Sequence, residues 1–246
     1  MRRFGLLGKN ISYSFSESYF KAKFENEKIL DAKYQNFDIQ NISELTNILS
    51  TTDNLKGLNV TIPYKEEVIP FLTKLDSKAK KIGAVNTIKI NSKNELIGYN
   101  TDCYGFKNSL KPLLKPNHKN AIILGTGGAS KAIAYTLNKF GIDYIYVSRK
   151  PSDLTKITYN NITKDLIRTH HVIVNCSPVG TFPNVEQCPN IPYEAITENH
   201  ILYDLIYNPE ETKFLRLGKQ NGAVTINGLK MLELQAEKAW RIWNKD

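Results

Sequence analysis

The stretch Ile122-Ile123-Leu124-Gly125-Thr126-Gly127-Gly128-Ala129-Ser130 decides the reading of the fold. An apolar run enters a glycine-rich turn and continues into Ser130–Phe140, whose apolar spacing is helical. Glycine lets a backbone approach a pyrophosphate closely, and a helix N-terminus offers unpaired N–H groups and a partial positive charge. The bland reading is a tight strand-to-helix turn with no ligand, and Ser130 stands where the dinucleotide fingerprint has Gly or Ala. The strand Ala121–Leu124, the helix and a second strand at Tyr144–Val147 fall within about 30 residues, which is the length of a nucleotide-binding βαβ unit. In an NAD-binding unit the second strand ends in Asp or Glu, which bonds the ribose 2′-hydroxyl. Here it ends in Ser148-Arg149-Lys150, which would attract a 2′-phosphate, so the pattern predicts NADP over NAD. The candidate cofactor residues are Gly125, Thr126, Gly127, Gly128, Ala129, Ser148, Arg149 and Lys150.

Working outward, short apolar runs alternate with helical patterns along the whole chain. Strands are expected at Arg3–Leu7, Tyr34–Ile39, Leu58–Ile62, Val85–Ile90, Leu96–Tyr99, Val172–Asn175 and Ile201–Leu205. Helices are expected at Ser16–Lys28, Ile42–Ser50, Asp102–Leu114, Lys213–Gln220 and Leu229–Trp243, with a further one opening at Pro63 and carrying Lys65 in its first turn. Strands separated by helices predict an α/β protein with largely parallel sheets. The chain has 246 residues, enough for one large domain or two modest ones at roughly 100–200 residues each. The polar run Lys115–Lys119 is the best break by composition.

The formal charge of +9 raises nucleic acid, an anionic surface or an acidic small molecule as partners. Of the 33 basic residues 27 are Lys and they do not cluster, and no basic patch is interleaved with aromatics, which argues against nucleic acid. No apolar stretch approaches the ~20 residues of a membrane span, and the N-terminus lacks the apolar core of a signal peptide, so a cytoplasmic protein is expected. Cys103, Cys176 and Cys188 are odd in number and have no zinc-like spacing, and the four histidines show no ligand spacing, so no metal is expected. The adjacent His170 and His171 read as ordinary strand-edge or surface positions.

Three polar clusters sit where loops should converge: Ser14-Phe15-Ser16, Asn59-Val60-Thr61-Ile62-Pro63-Tyr64-Lys65, and Ala84-Val85-Asn86-Thr87 with Asn100-Thr101-Asp102. Asn59 and Thr61 share one face of a strand end, as a cleft in an open α/β sheet requires. Together with Gly8, Gly83, Gly105, the Gly125–Ser130 turn, Tyr203-Asp204-x-x-Tyr207 and Gly228-Leu229-x-Met231-Leu232-x-x-Gln235-Ala236, these motifs resemble the shikimate dehydrogenase family over nearly the whole chain.

The resemblance implies two α/β domains with the active site in the cleft between them. Residues 1–101 and 228–246 would form the substrate-binding catalytic domain, and residues 102–227 a Rossmann-like dinucleotide domain, with the C-terminal helix returning to the first. It implies NADPH-dependent reversible reduction of 3-dehydroshikimate to shikimate by a monomer or homodimer. Lys65 and Asp102 would be the catalytic pair. Ser14 and Ser16 would bind the substrate carboxylate; Asn59, Thr61, Asn86, Thr101, Tyr207 and Gln235 would complete the substrate site; Leu205 and Gly228 would lie near the nicotinamide. Three departures stand out. Glu17 replaces the usual Pro of the entry loop, Ser148-Arg149-Lys150 is followed by Pro151, Ser152 and Asp153 rather than a further base, and Cys176–Gly180 varies from the usual loop. The competing readings are an NAD-dependent quinate/shikimate dehydrogenase and a non-catalytic NADP-binding protein.

Overall fold

The computed structural model describes residues 1–12, 14–150 and 157–245. The chain divides into two compact units, Met1–Thr101 with Gln235–Asp246, and Asp102–Leu234. Lys115–Lys119 is a loop inside the second unit and not a boundary, and the C-terminal return begins at Gln235, later than the expected Gly228. Among the described residues no helix is long and apolar enough to cross a membrane.

The first unit holds β1 (Arg2–Gly8), α1 (Phe15–Asn26), β2 (Ala32–Asp38), α2 (Leu45–Thr51), β3 (Leu55–Val60), β4 (Lys74–Leu75), α3 (Ser77–Ile82), β5 (Thr87–Ile90) and β6 (Leu96–Tyr99). Its sheet runs β2-β1-β3-β5-β6-β4. β1 is parallel to β2 and β3, whereas β5 is antiparallel to both β3 and β6. Register follows from side-chain alternation, which sends Leu7, Leu58, Val60 and Ile88 to one core. Phe4 and Leu6 enter a second core with Phe20 and Phe24 of α1 and Trp243 near the C-terminus. There the Phe20 and Tyr34 rings stack at 4.5 Å, and the Trp243 indole N–H donates to Ile88 O at 2.9 Å.

The second unit holds α4 (Asp102–Leu110), β7 (Asn120–Leu124), α5 (Gly128–Phe140), β8 (Asp143–Ser148), β9 (Ile157–Thr158), α6 (Lys164–Thr169), β10 (Val172–Asn175), β11 (Ile201–Asp204), α7 (Lys213–Gln220) and β12 (Val224–Ile226). Its sheet, β12-β11-β10-β7-β8-β9, is parallel throughout. Alternate residues feed opposite faces: Ile123, Val174 and Tyr203 pack with α4 and α5, while Ile122, Ile173 and Leu202 pack with α6 and α7. Such strands, buried on both faces, read as continuous apolar runs because helices cover both sides. The last helix, α8 (Leu229–Trp243), gives Met231 to the core of the second unit and Ala236, Ala239 and Trp243 to that of the first.

Two expected helices are cut short by proline. The segment after Pro63 makes successive turns and a 3-10 turn at Ile69–Phe71, because Pro70 has no N–H to donate to Glu66 O. The helix from Asp102 ends at Leu110, and Pro112 sits in a following 3-10 turn. His170 and His171 lie in the turn between α6 and β10, not within a strand. His118 and His200 are almost fully buried at the amino ends of β7 and β11.

Each buried ring accepts a backbone N–H at Nδ1, from Lys115 at 2.9 Å for His118 and from Thr197 at 3.0 Å for His200. Nε2 must therefore carry the proton, donated to Asn199 O at 3.1 Å and Ile167 O at 3.0 Å respectively. Burial lowers both rings below the ordinary 6.5. The unfolded chain therefore takes up protons first, and acid below pH 6.5 favours unfolding. Nitrogen-15 spectra at pH 7 should show both rings as neutral Nε2–H tautomers that titrate below 6.5. In the first unit, a Cβ on Gly57 would lie 2.2 Å from Trp243 Nε1. Gly57→Ala should lower the urea midpoint by an amount equivalent to about 1–3 kcal/mol of overpacking.

Candidate active site

The strand register of the first unit brings two of the three polar clusters to one end of its sheet. Asn59 on β3 faces Thr87 on β5, and Thr87 faces Tyr99 on β6, so Asn86 and Asn100-Thr101 emerge side by side. Asn86 is 2% exposed and fully engaged. Its Oδ1 accepts from the Thr101 N–H at 2.6 Å and is within 3.2 Å of the Thr101 and Thr87 hydroxyls. Its Nδ2 donates to Gln235 Oε1 at 2.8 Å. The expected substrate residues Asn86, Thr101 and Gln235 thus form one bonded group, and Thr87 joins it although no role was expected there. Thr87 Oγ1 also receives Asn59 Nδ2 at 3.3 Å.

Asn59 is oriented from its other side by Tyr34, whose hydroxyl donates to Asn59 Oδ1 at 2.8 Å. Burial pushes the Tyr34 phenol well up, and a hydrogen bond with Ser16 pulls the other way, so Ser16 reaches the same hydroxyl. Ser14 caps α1, its Oγ accepting the Ser16 N–H at 3.2 Å. A hydroxyl that accepts at a helix N-terminus keeps its own proton to donate, an arrangement suited to a carboxylate. Glu17, in the first turn, is turned to β2, where Asn36 Nδ2 donates to it at 2.5 Å. Thr61 follows β3 and packs its methyl where a Gly8 Cβ would lie, at 2.5 Å.

Lys65 is half-buried on the turns after Pro63, where no α-helix forms. Its carbonyl accepts the Val85 N–H at 2.7 Å, which fastens this backbone next to Asn86. Asp102 is 2% exposed and opens α4, one residue after Thr101.

In the second unit the candidate residues gather at the carboxyl ends of the parallel strands, the edge where open α/β sheets bind ligands. Gly125 has φ +107°, and a Cβ there would press on the Cys176–Ser177 backbone at 3.2 Å. Gly127 caps α5 with no side-chain bond, and a Cβ there would meet nothing within 4 Å. Thr126 and Ala129 flank it, half-buried. Ser130 fits the fingerprint position because its hydroxyl folds back on Gly127 O at 2.7 Å. An open turn over the amino end of a 13-residue helix fits a pyrophosphate. β8 pairs in register with β7, so Ser148, Arg149 and Lys150 emerge beside this turn, with the Ser148 hydroxyl bonded to Lys150 O and both basic side chains exposed. Pro151, Ser152 and Asp153 lie outside the described residues.

Leu205 and Gly228 are brought together, since a Cβ on Gly228 would lie 2.1 Å from Leu205 O. Tyr207 is half-buried two residues further on. Asp204 and Asn175, beneath them, carried no expected role. Asp204 stands in the Tyr203-Asp204-x-x-Tyr207 motif, and each of the two is the polar residue that closes a largely apolar strand. Among the described residues no group of three or more His, Cys, Asp or Glu could hold a metal ion.

Residues 6–88 match the family model described as the shikimate dehydrogenase substrate binding domain. A Desulforamulus reducens protein named shikimate dehydrogenase (NADP(+)) is 36% identical over 97% of this chain and 88% of its own. The chain belongs to the shikimate dehydrogenase family. A family structure from Peptoclostridium difficile superposes with a TM-score of 0.84 at 40% identity, covering 99% of this chain and 91% of that one. A Thermus thermophilus family structure, solved with NADP(H) and shikimate, gives 0.86 at 29% identity, covering 99% and 94%.

The family's glycine turn yields a direct test. Gly127→Ala keeps an allowed backbone (φ −72°, ψ 175°) and meets no protein atom. It should move the melting temperature by no more than about 2 °C, and if the turn holds the pyrophosphate as expected from the sequence, it should raise the KM for NADP at least about tenfold.

Proposed function

We propose that this chain catalyses the NADP-dependent, reversible reduction of 3-dehydroshikimate to shikimate. The observation that carries this is the bonded group Asn59, Asn86, Thr87, Thr101 and Gln235, whose carbonyl oxygens are consumed internally. With Gln235 Oε1 held by Asn86, the Gln235 NH2 is left to donate. Such a group suits a ligand rich in hydroxyl and carboxylate oxygens. The Ser14 and Ser16 hydroxyls would hold the carboxylate, and Asn59, Thr61, Asn86, Thr101, Tyr207 and Gln235 the ring.

The cofactor residues Gly125, Thr126, Gly127, Gly128 and Ala129 would hold the pyrophosphate. Ser148, Arg149 and Lys150 would hold the 2′-phosphate, and Leu205 and Gly228 would lie at the nicotinamide. When bound, the cofactor supplies or accepts a hydride at the ring carbon bearing the reacting oxygen. The protein's own task is the proton. In reduction, oxygen gains negative charge, and the Lys65 ammonium donates to it, while in oxidation neutral Lys65 takes the proton back. Positioned proton transfer of this kind is worth about 10²–10⁴ in rate. Asp102 would orient the ammonium and hold a neighbouring hydroxyl. Its backbone is tethered to the substrate group through Thr101, whose N–H is held at 2.6 Å by Asn86.

Arg149 at the end of β8, with no acid beside it in sequence, supports NADP over NAD. We place the enzyme in the cytoplasm as a monomer or homodimer acting on small molecules. Its odd count of three cysteines supports a reducing compartment.

Shikimate and quinate, each assayed with NADP and NAD at 340 nm, should give the largest kcat/KM for shikimate with NADP. A larger value for quinate with NAD would overturn the proposal. Lys65→Ala should lower kcat by at least about 10²-fold with little change in NADP affinity.

A further inference from the structure

We infer that Asp204 is a positioning residue for this reaction, its buried carboxylate closing the loop Leu205–Thr212 so that Leu205 and Tyr207 are presented in one conformation. The inference rests on the proposal that these two residues face cofactor and substrate. Asp204 is 0% exposed, and both oxygens are used. Oδ1 accepts from the Ile206 N–H at 3.1 Å and Asn175 Nδ2 at 3.0 Å, and Oδ2 from the Thr212 hydroxyl at 2.6 Å. One side chain therefore grips both ends of the loop. Asn175 extends the grip, because its Oδ1 accepts the Ser177 N–H at 3.1 Å and the Ser177 hydroxyl at 2.7 Å. The loops leaving β10 and β11 are thereby locked together. Between them the Leu205 N–H donates to Asn175 O at 3.0 Å, and the Gly228 N–H to Ile206 O at 2.9 Å.

All three donors to Asp204 are neutral. The titratable groups of neighbouring elements that feel its charge are Cys176 after β10 and Tyr193 in the turn Tyr193–Ala195, both kept protonated by burial. On its own loop and the helix that follows lie Glu210, Glu211 and Lys213, with Glu211 paired to Lys219 at 3.2 Å. Burial outweighs the three hydrogen bonds and pushes the carboxyl up to about 6 from 3.8. The folded chain holds this proton where the unfolded chain has released it, so stability falls as pH rises through that window. At neutral pH the carboxylate weakens the fold. A residue kept only for stability would be an amide or apolar there, whereas a charge held at a cost marks a functional position.

The test is Asp204→Asn, which keeps the shape and the Oδ1 bonds but turns an NH2 toward Thr212, with Thr212→Val as the second variant. For Asp204→Asn at pH 7.5, kcat with shikimate should fall at least about tenfold while the melting temperature equals or exceeds the parent's, the gap closing below pH 6. Binding of 2′-phospho-ADP-ribose, which lacks the nicotinamide, should stay within about threefold. In the ligand-free protein, amides of 205–212 should lose protection in both variants. Parental kcat in folded Asp204→Asn would overturn the inference. So would joint loss of kcat, melting temperature and 2′-phospho-ADP-ribose binding, which marks a general structural role. If the parent itself fails to oxidise shikimate, the proposed function falls. The melting and exchange measurements then still decide on Asp204, and unchanged protection of 205–212 in both variants would overturn its role.

Discussion

The side-chain amide of Asn86 is the constraint on which the first unit's site depends. Buried to 2% exposure, it must satisfy its polar atoms inside the protein, since each unmet bond costs about 1–3 kcal/mol. It does so with partners from three separated segments: Thr87 at the start of β5, Thr101 beyond β6, and Gln235 on α8. A change in strand register would strip the amide of these partners. The same amide holds Gln235 by its Oε1 and the backbone at Thr101 by its N–H. Core packing and site geometry are here one problem with one solution.

The second unit solves a different problem. Its all-parallel sheet sends every strand's carboxyl end to one edge, so the ligand residues need only sit at strand ends. Close backbone approach is then the limiting quantity. Gly125 and Gly228 are small because neighbouring backbone already occupies the space a side chain would need, whereas Gly127 is small beside empty space. That contrast separates glycines demanded by the fold from one whose surroundings would admit a side chain. Asp204 shows the complementary economy: a carboxylate with neutral partners, retained where it lowers stability at neutral pH.

The strand–turn–helix at Gly125–Ser130 is legible because its signals are local. Three glycines, the helix behind them and Arg149 lie within one βαβ unit, and their physics needs no distant partner. The fold class was legible for the same reason, as were α7 and α8 residue for residue. Lys65 was misread onto a helix because the acids after Pro63 resemble a helix start, while Pro70, which forbids the required bond, lies beyond that first turn. Tyr34 reads as an ordinary strand residue, Thr87 as a member of a polar cluster without a role of its own, and Asp204 as part of a motif without a role. Their partners lie 25 to 29 positions away in sequence for the Tyr34–Asn59 and Asn175–Asp204 pairs.

The sequence by itself determined the class of elements, their order and the chemistry available at the strand ends. Alternation and glycine placement act over a few residues and leave a readable pattern. The tertiary structure alone decided which polar side chains are spent on one another and which are left to meet a ligand. That division depends on register and burial, because only a buried donor or acceptor is forced to find its partner within the protein, wherever along the chain that partner happens to be.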